Sequence, residues 1–325
     1  MDPLSEVLRS MRLTGGVFMK GEFSAPWCIS AHVGPGDCAP FGSVPRDIIA
    51  YHYVAKGRML LIVPGQPHVE VGQGEVILLP RNDPHILASA AGLLAEAPEE
   101  LIIPAQGGGL SKIVHGGGGE ETGIYCGFLG NDTPNDILLG VLPAMLRLKV
   151  PEDATGEWIG STFRFAERTL AGGGERSAVV LGRLAELLFE EAVQRHVATL
   201  PADERGWLAG LRDNYVGRAL AMLHGRPDRH WTTEALAAAV GLSRSAFAAR
   251  FTGLIGDPPM RYLAKWRMQM AARRLADTSD PVAQVAFEAG YDSEAAFNRA
   301  FKRTYGVPPA AWRRSKAMPD GGRAA

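Results

Sequence analysis

The C-terminal third of the chain carries one pattern of residues twice. Two Phe residues stand four positions apart, and a second pair repeats that spacing fifty positions later; the pairs are Phe247 with Phe251 and Phe297 with Phe301. Residues four apart in an α-helix lie on one face, so each pair anchors a short helix to a core. A turn glycine precedes each helix, Gly241 in the first copy and Gly290 in the second. The repeat predicts two helix-turn-helix units in one all-α domain.

The residues around the Phe pairs supply helix starts and a connection between the copies. Ser243 and Ser293 stand where a hydroxyl caps the Phe-bearing helix, and a Thr before Glu234 is suited to cap the helix ahead of it. The second copy of that preceding helix is predicted over Pro281–Glu288. Between the copies, apolar spacing predicts a helix from Met260 to Ala276, about 25 Å long, which would help to hold two reading helices about one DNA turn apart.

Charge is distributed unevenly along the chain, although the net charge is only −1. From Tyr215 to Lys316 there are 16 Lys and Arg against 8 Asp and Glu, whereas Met1–Asn214 has 17 against 26. A basic C-terminal third is typical of a domain that binds a polyanion such as nucleic acid. The alternative interpretation is a charged surface that is uneven without a partner.

Composition excludes several classes of protein. Three cysteines, Cys28, Cys38 and Cys126, are too few for a disulfide framework. The first twelve residues lack a signal-peptide pattern, and no apolar run reaches the roughly eighteen residues of a membrane span. These features predict a cytoplasmic protein without membrane association.

The N-terminal part has a different pattern of residues from the C-terminal third. After a short predicted helix over Leu4–Met11, brief apolar runs alternate with Gly- and Pro-rich turns up to about residue 150. This pattern favours an all-β barrel or sandwich. The clearest runs are Met59–Val63, Val76–Leu79, Leu101–Ile103 and Ile124–Leu129.

Two helices are predicted between these parts, over Glu157–Leu170 and Ala178–Thr199. The second helix has an apolar stripe, made of Leu181, Leu184, Leu188 and Ala192. Such a stripe packs on its own domain or forms the seam of a dimer, and both remain open. The fold class is therefore α+β with two domains. We predict a sensor barrel over 1–150, a helical dimerisation and linker segment over 151–206, a DNA-binding domain over 207–316 and a disordered tail over 317–325.

The last hundred residues resemble the DNA-binding domain of AraC/XylS-family regulators, almost without gaps. The residues that carry the resemblance are Leu236-Ala237, Gly241-Leu242-Ser243, Arg250-Phe251, Arg267-Met268, Ala286, Gly290-Tyr291, Ser293, Phe297, Arg299, Phe301-Lys302-Arg303, Gly306, Pro308 and Trp312-Arg313. The resemblance implies a regulator that binds double-stranded DNA at promoters, acts as a homodimer, and contacts RNA polymerase if it is an activator.

The same resemblance implies which side chains face DNA. The first reading helix would present Arg244, Ser245, Ala248 and Ala249, and the second would present Glu294, Ala295, Asn298 and Arg299. Arg and Asn can read base edges, and Glu can accept from a cytosine amino group. Three further cations would touch phosphate or pack at the surface, namely Arg250, Lys302 and Arg303. Because the first helix is rich in alanine, its readout would depend on thymine methyl groups and DNA shape.

The N-terminal part resembles the cupin-type sensor domain of one AraC subgroup. Gly74–His85 is similar to the second cupin motif, with Asn82 where glycine is usual. The first motif lacks its His-x-His and Glu, and Tyr51-His52-Tyr53 stands near that turn. We therefore predict no resident cofactor and no catalytic metal site. One alternative stays open, a zinc or similar ion bound where His52, His85, His115 and Cys126 converge.

Cysteine chemistry gives a second hypothesis for the signal. Some relatives in this subgroup resemble oxidant sensors with a cysteine in the strand of Cys126, for which Cys28 or Cys38 would be the partner. The alternatives are a small organic effector in the barrel and an inert, buried Cys126. We predict a non-enzymatic regulator whose promoter occupancy follows the sensed signal. The competing hypothesis is a metal-dependent cupin enzyme, an isomerase or dioxygenase, with a DNA-binding appendage.

Overall fold

The computed structural model describes residues 3–11, 13–38, 44–104, 110–132, 136–150, 157, 159–163, 165, 175–201, 204 and 206–317. The chain divides into two compact units. The barrel unit comprises Leu13–Asp132 and Leu142–His196. The helical unit comprises Met1–Arg12, Thr133–Val141 and Val197–Ala325.

The barrel unit is built mainly of β-strands, as the short apolar runs predict. Its strands are β1 (Leu13–Ser24), β2 (Cys28–Ala31), β3 (Asp47–Lys56), β4 (Arg58–Ile62), β5 (Val69–Gly72), β6 (Glu75–Leu79), β7 (His85–Ala88), β8 (Ile102–Ile103), β9 (Ser111–Gly116), β10 (Glu121–Asn131) and β11 (Leu146–Lys149). The described strands form a seven-stranded sheet in the order β11-β6-β3-β10-β1-β9-β8 and a four-stranded sheet in the order β2-β7-β4-β5. Large side chains such as Trp27, Met59 and Phe128, each at most 2% exposed, fill the barrel core.

The turn between β6 and β7 explains the Asn that replaces the expected glycine. Asn82 has φ +51, a left-handed conformation that Asn adopts more easily than most residues. Its side-chain oxygen accepts from the Val33 amide at 3.1 Å, and its side-chain nitrogen donates to the Val33 carbonyl at 2.9 Å. Asn82 thus supplies the turn conformation and ties the turn to a second loop, which glycine could not do.

The barrel unit includes the short helix α2 (Pro35–Cys38) and most of the long helix α3 (Glu175–Thr199). On α3, Leu184, Leu188 and Ala192 are between 1% and 4% exposed within the single chain. The described members of the stripe pack inside the protomer, which favours packing on the own chain over a dimer seam. The side chain of Leu181 lies outside the described residues. The predicted helix over 157–170 is helical at 157, 159–163 and 165, and its other residues lie outside the described part.

The helical unit contains the two predicted helix-turn-helix units. Its helices are α1 (Pro3–Ser10), α4 (Trp207–Arg212), α5 (Val216–Gly225), α6 (Thr233–Val240), α7 (Arg244–Ile255), α8 (Pro259–Asp277), α9 (Val282–Glu288), α10 (Glu294–Tyr305) and α11 (Pro309–Ala317). Helices α6 and α7 form the first unit, and α9 and α10 form the second. Helix α11 includes residue 317, and the tail predicted to be disordered otherwise lies outside the described residues.

Two segments from the N-terminal part belong to the helical unit. Helix α1 packs on α5, with Val7 fully buried and the Pro3 carbonyl 3.3 Å from His224 Nδ1. The segment Thr133–Val141 contributes Asp136, whose carboxylate accepts from the buried Gln269 amide at 3.3 Å. The unit boundaries therefore differ from the linear domain boundaries, because these contacts join residues more than one hundred positions apart.

Helix α8 is shared by both helix-turn-helix units. Its N-terminal half contains Tyr262, whose ring centroid is 5.8 Å from that of Phe251 in the first unit. Its C-terminal half contributes Met268 and Leu275 to the apolar core around Phe297 and Phe301 of the second unit. One continuous helix thus connects the cores of the two units.

Candidate DNA interface and barrel polar cluster

Helix α7 is the candidate reading helix of the first unit. Ser243 caps it as the sequence predicts, because its hydroxyl accepts from the Ala246 amide at 3.3 Å. Phe247 and Phe251 are fully buried, with ring centroids 5.6 Å apart. The anchored face turns the opposite face outward, where Arg244, Ser245 and Ala249 are exposed and Ala248 is half-buried.

Both arginines of α7 are paired within the helical unit. Arg250 Nε lies 2.9 and 3.1 Å from the two carboxylate oxygens of Asp213, and its guanidinium lies 5.4 Å from the ring centroid of Tyr215. Of the two roles expected for Arg250, the structure shows the packing contact. Arg244 Nε lies 2.6 Å from the Glu234 carboxylate, but these side chains are 70% and 57% exposed. An exposed ion pair is weak, so Arg244 can exchange this carboxylate for another anion.

Helix α10 is the candidate reading helix of the second unit. Ser293 caps it by accepting from the Ala296 amide at 3.2 Å, again as predicted. Phe297 and Phe301 are fully buried, with ring centroids 5.4 Å apart. The outward face exposes Glu294, Ala295, Arg299, Lys302 and Arg303, and Asn298 is half-buried.

The charged side chains of α10 form fewer ion pairs than those of α7. Among the described residues, no side-chain hydrogen bond or ion pair holds Arg299 or Lys302. Three exposed cations against one exposed carboxylate make the outward face basic. A basic, unobstructed helix face is suited to a DNA groove.

Three of the predicted sensor residues meet inside the barrel, and we call them the barrel polar cluster. His52 Nδ1 lies 3.2 Å from Cys126 Sγ, and His52 Nε2 lies 2.7 Å from His85 Nε2. His85 Nδ1 lies 2.8 Å from the Asp83 carbonyl oxygen. The pairing of β3 with β10 sets His52 directly opposite Cys126. Strand register therefore sets two members of the cluster side by side, and His85 joins them from β7 of the four-stranded sheet.

The carbonyl at one end fixes the proton positions in the cluster. Because the Asp83 carbonyl can only accept, His85 Nδ1 donates to it and His85 Nε2 is the acceptor in a neutral ring. His52 Nε2 then donates to His85, and His52 Nδ1 accepts from the Cys126 thiol. Each His52 nitrogen faces a different partner, so the cluster is a hydrogen-bonded row.

Burial keeps the members of this cluster uncharged. Burial, with a contribution from His85, holds the pKa of His52 well below its usual value. Burial also lowers the pKa of His85. Burial, with a contribution from the Asp37 carboxylate, raises the pKa of Cys126 to about 12. A charged group at this depth would have to lose its hydration, which explains the directions.

The remaining predicted sensor residues lie apart from this cluster. His115 Nε2 contacts the Glu96 carboxylate at 2.9 Å, outside the barrel core. Cys28 is buried with its sulfur 3.7 Å from the Leu93 carbonyl, and burial followed by Glu96 raises its pKa. Burial followed by Asp37 raises the pKa of Cys38 to about 11. The three cysteines are free thiols.

The described residues contain no group of three or more His, Cys, Asp or Glu arranged to hold a metal ion. No helix within the described ranges is long and apolar enough to cross a membrane.

Two residues with extensive contacts, Asp213 and Arg267, are not among the predicted site residues. Asp213, which binds Arg250, stands just ahead of α5, and an Asp at the start of a helix was the available signal. Arg267 belongs to the pattern of the resembled family, and the structure places its guanidinium against two backbone carbonyls and Gly290. The position of Arg267 in that pattern was the available signal.

Known protein families match both parts of the sequence. Residues 2–198 match the cupin family, and residues 236–315 match the helix-turn-helix domain family. The crystallised DNA-binding domain of AdpA, a global transcriptional factor solved with a target DNA, is 31% identical; the match covers 34% of this chain and 99% of that chain, with a TM-score of 0.31.

Two full-length relatives extend the comparison across the chain. A putative AraC-like transcription regulator of Streptomyces lividans is 30% identical over 98% of this chain and 100% of its own length. The activator RclR of Escherichia coli, described as RCS-specific, is 26% identical over 84% of this chain and 87% of its own length. The chain belongs to the AraC-like transcription regulators, with a cupin N-terminal domain and a helix-turn-helix DNA-binding domain.

Proposed function

We propose that α7 and α10 enter successive major grooves of one DNA duplex, and that the chain regulates transcription by occupying a specific site. The observation that carries this proposal is that each helix is anchored by a buried Phe pair and presents an exposed face. An α-helix fits the major groove, and two such helices on one scaffold can read two adjacent segments.

Base recognition through hydrogen bonds is assigned mainly to α10. Arg299 can bind a guanine through two hydrogen bonds, Asn298 can bind an adenine, and Glu294 can accept from a cytosine amino group. Lys302 and Arg303 are placed to touch phosphates, which position the helix without reading sequence. Ala295 adds a methyl group at the start of the same face.

Helix α7 reads DNA in a different way. Ala248 and Ala249 offer methyl contacts to thymine, and Ser245 is a short polar group between them and the helix start. Arg244 contributes a charge that leaves Glu234 for phosphate or a base edge. The first half of the site is thereby selected by methyl groups and groove shape more than by hydrogen bonds.

The signal is assigned to the barrel unit, where two classes remain in the proposal. Oxidation of Cys126, with Cys28 or Cys38 as partner, would act on the barrel polar cluster. A small organic effector would displace core side chains or occupy the groove of about 780 Å³ lined by Lys20, Lys56 and Tyr125 among others. Either signal controls DNA occupancy only if it favours one state of the protein over another.

The proposal includes a homodimer, contact with RNA polymerase if the chain activates, and a cytoplasmic location. Leu187 on α3 is 56% exposed and supports a partner contact on that face, whereas the buried stripe of α3 does not. The competing enzyme hypothesis is not favoured, because the full-length relatives are named as transcription regulators.

The test is selection of duplexes from a random library by the full-length chain, followed by fluorescence anisotropy at rising salt. We expect a preferred sequence and an affinity that falls steeply with salt, because cations on the protein release counterions from DNA. An affinity that is flat with salt, or equal for the selected duplex and competitor DNA, would contradict the proposal. A chain with Arg299→Ala and Lys302→Ala is the matched control.

A further inference from the structure

Arg267 lies midway along α8, between the halves that belong to the two helix-turn-helix units. Its Nε donates to the Pro227 carbonyl at 2.7 Å, and its Nη2 donates to the Arg229 carbonyl at 2.9 Å. Both carbonyls belong to the loop between α5 and α6, directly ahead of the first helix-turn-helix unit. The guanidinium is therefore fixed at two points to the loop that leads into the first unit.

The same guanidinium lies against the turn of the second unit. Gly290, at φ +75, forms the turn between α9 and α10. A Cβ atom at Gly290 would lie 2.6 Å from Arg267 Cζ and 2.8 Å from Arg267 Nη2, closer than real Cβ contacts. We call Arg267, Pro227, Arg229 and Gly290 the Arg267 clamp. The clamp joins the loop that leads into the first unit to the turn of the second unit.

The corresponding turn of the first unit has no such contact. Gly241 has φ +84 and ends α6, as Gly290 follows α9. A Cβ at Gly241 would have no atom within 4 Å apart from its own neighbours. Gly241 is thus required for backbone conformation alone, whereas Gly290 is required for conformation and for the approach of Arg267.

A guanidinium is suited to hold two segments at one separation. It is planar and rigid, and its donors diverge at fixed angles, so two carbonyls and a flat backbone surface determine its position. We propose that Arg267 is a positioning residue that fixes the separation and angle of α7 and α10. It thereby sets the spacing between the two halves of the DNA site that the chain accepts. This inference depends on the proposed reading of DNA by both helices.

The test measures spacing preference with the full-length chain. The probes are the duplex selected by the wild-type chain, the same duplex with one to three base pairs inserted between its halves, and a duplex that keeps only one half. Arg267→Met removes both hydrogen bonds, and Arg267→Lys keeps the charge but lacks the fork. Arg261→Met is the matched control, because Arg261 is an exposed arginine of α8 paired with Asp257.

We expect the wild-type chain to lose affinity sharply on insertion. Arg267→Met should bind the selected duplex about tenfold more weakly, since two charge-assisted hydrogen bonds no longer hold the geometry. Its affinity for the inserted duplexes should be within about twofold of that value, and its half-site affinity within about twofold of wild type. The spacing preference of Arg267→Lys should lie between those of the wild type and Arg267→Met. Arg261→Met should keep the wild-type spacing profile.

Glycine variants give a second, independent measurement. Gly290→Ala must displace the guanidinium and should flatten the spacing profile as Arg267→Met does. Gly241→Ala imposes the same positive-φ strain without a clash and should keep the wild-type spacing profile.

The possible failures are distinguishable. Wild-type spacing profiles in Arg267→Met and Gly290→Ala would overturn the inference while leaving the proposed function intact, and equal losses on half-site and full site would do the same. A wild-type chain that selects no sequence would overturn both.

Discussion

Arg250 donates to both carboxylate oxygens of Asp213, 37 residues earlier in the chain. One of those oxygens also accepts from the amides of Tyr215 and Val216, at 3.0 and 2.9 Å, at the start of α5. Burial alone would raise the pKa of Asp213, but the hydrogen bonds from Arg250 and from these amides lower it overall. A single carboxylate therefore caps α5 and holds the reading helix α7.

Loss of this carboxylate should weaken α5 and α7 together. We expect Asp213→Ala to lower the free energy of local unfolding by about 1–3 kcal/mol, because it removes a cap and leaves Arg250 without its partner. Amide hydrogen exchange in the full-length chain measures this for each helix. Arg244→Ala, which breaks only an exposed pair, should leave the protection of α7 unchanged. Unchanged exchange in Asp213→Ala would show that the pair contributes nothing to helix stability.

Arg299 and Lys302 should contribute to DNA binding in different ways. Arg299→Ala should cost about 1–3 kcal/mol and relax the preference at one base position, because it removes paired contacts to a base edge. Lys302→Ala should weaken all sequences about equally and reduce the salt slope by about one. Anisotropy on the selected duplex and its single-base variants separates the two. Identical profiles for both variants would refute the assignment of Arg299 to base readout.

Acid should destabilise the helical unit through His224. His224 Nδ1 donates to the Pro3 carbonyl, so its Nε2 accepts from the Tyr262 hydroxyl at 2.7 Å, and that oxygen accepts from Trp207 Nε1 at 3.0 Å. Burial lowers the pKa of His224 to about 4. In the unfolded chain His224 becomes protonated below about pH 6.5, whereas in the folded chain its ring stays neutral down to about pH 4. The free energy of unfolding therefore falls as the pH drops from about 6.5 to about 4.

The comparison that isolates His224 is the unfolding temperature of wild type and His224→Gln between pH 7 and pH 4. We expect a shallower fall in the variant. His52 and His85 have lowered pKa values in the barrel unit and titrate in the same direction, so both chains retain their contribution. Parallel curves would exclude His224 as a source of the acid sensitivity.

Cys126 should react slowly while the barrel is closed. Its thiol is 3% exposed, and burial raises its pKa to about 12, so almost no thiolate is present at neutral pH. We expect alkylation by iodoacetamide at pH 7.5 to be far slower in the native chain than in the urea-unfolded chain, measured by mass spectrometry of the Cys126 peptide. Native labelling as fast as in the unfolded chain would mean that the barrel opens or that His52 takes the thiol proton. Oxidant sensing through Cys126 requires one of those two events.

The twin helix-turn-helix units could be predicted because their signals are local. Ser243 and Ser293 cap helices within three residues of themselves, and each Phe pair shows its helical spacing directly. The structure confirms these elements with boundaries shifted by one or two residues. Local signals do not reveal partners, however. Nothing near Arg250 in sequence indicates Asp213 as its partner.

The barrel polar cluster and the apolar stripe of α3 also show that the sequence indicates the residues but not their partners. The sequence indicates an apolar face on α3, but periodicity does not tell whether that face meets its own chain or a second copy. His52, His85 and Cys126 could be singled out by residue type, but their meeting depends on how β3 pairs with β10 and on how β7 of the other sheet lies against them. His115 was an equal candidate by residue type, but it contacts Glu96 instead of the cluster. Residue type identified the candidates, and strand pairing selected among them.

The continuity of α8 makes its length a parameter of recognition. A single residue added between Tyr262 and Met268 would advance the second core by about 1.5 Å and rotate it by about 100° relative to the first. No side chain on either reading helix would change, yet α10 would point away from the groove that α7's position selects. In the proposed mode of binding, the number of residues in this helix therefore matters to recognition as much as the side chains on α7 and α10.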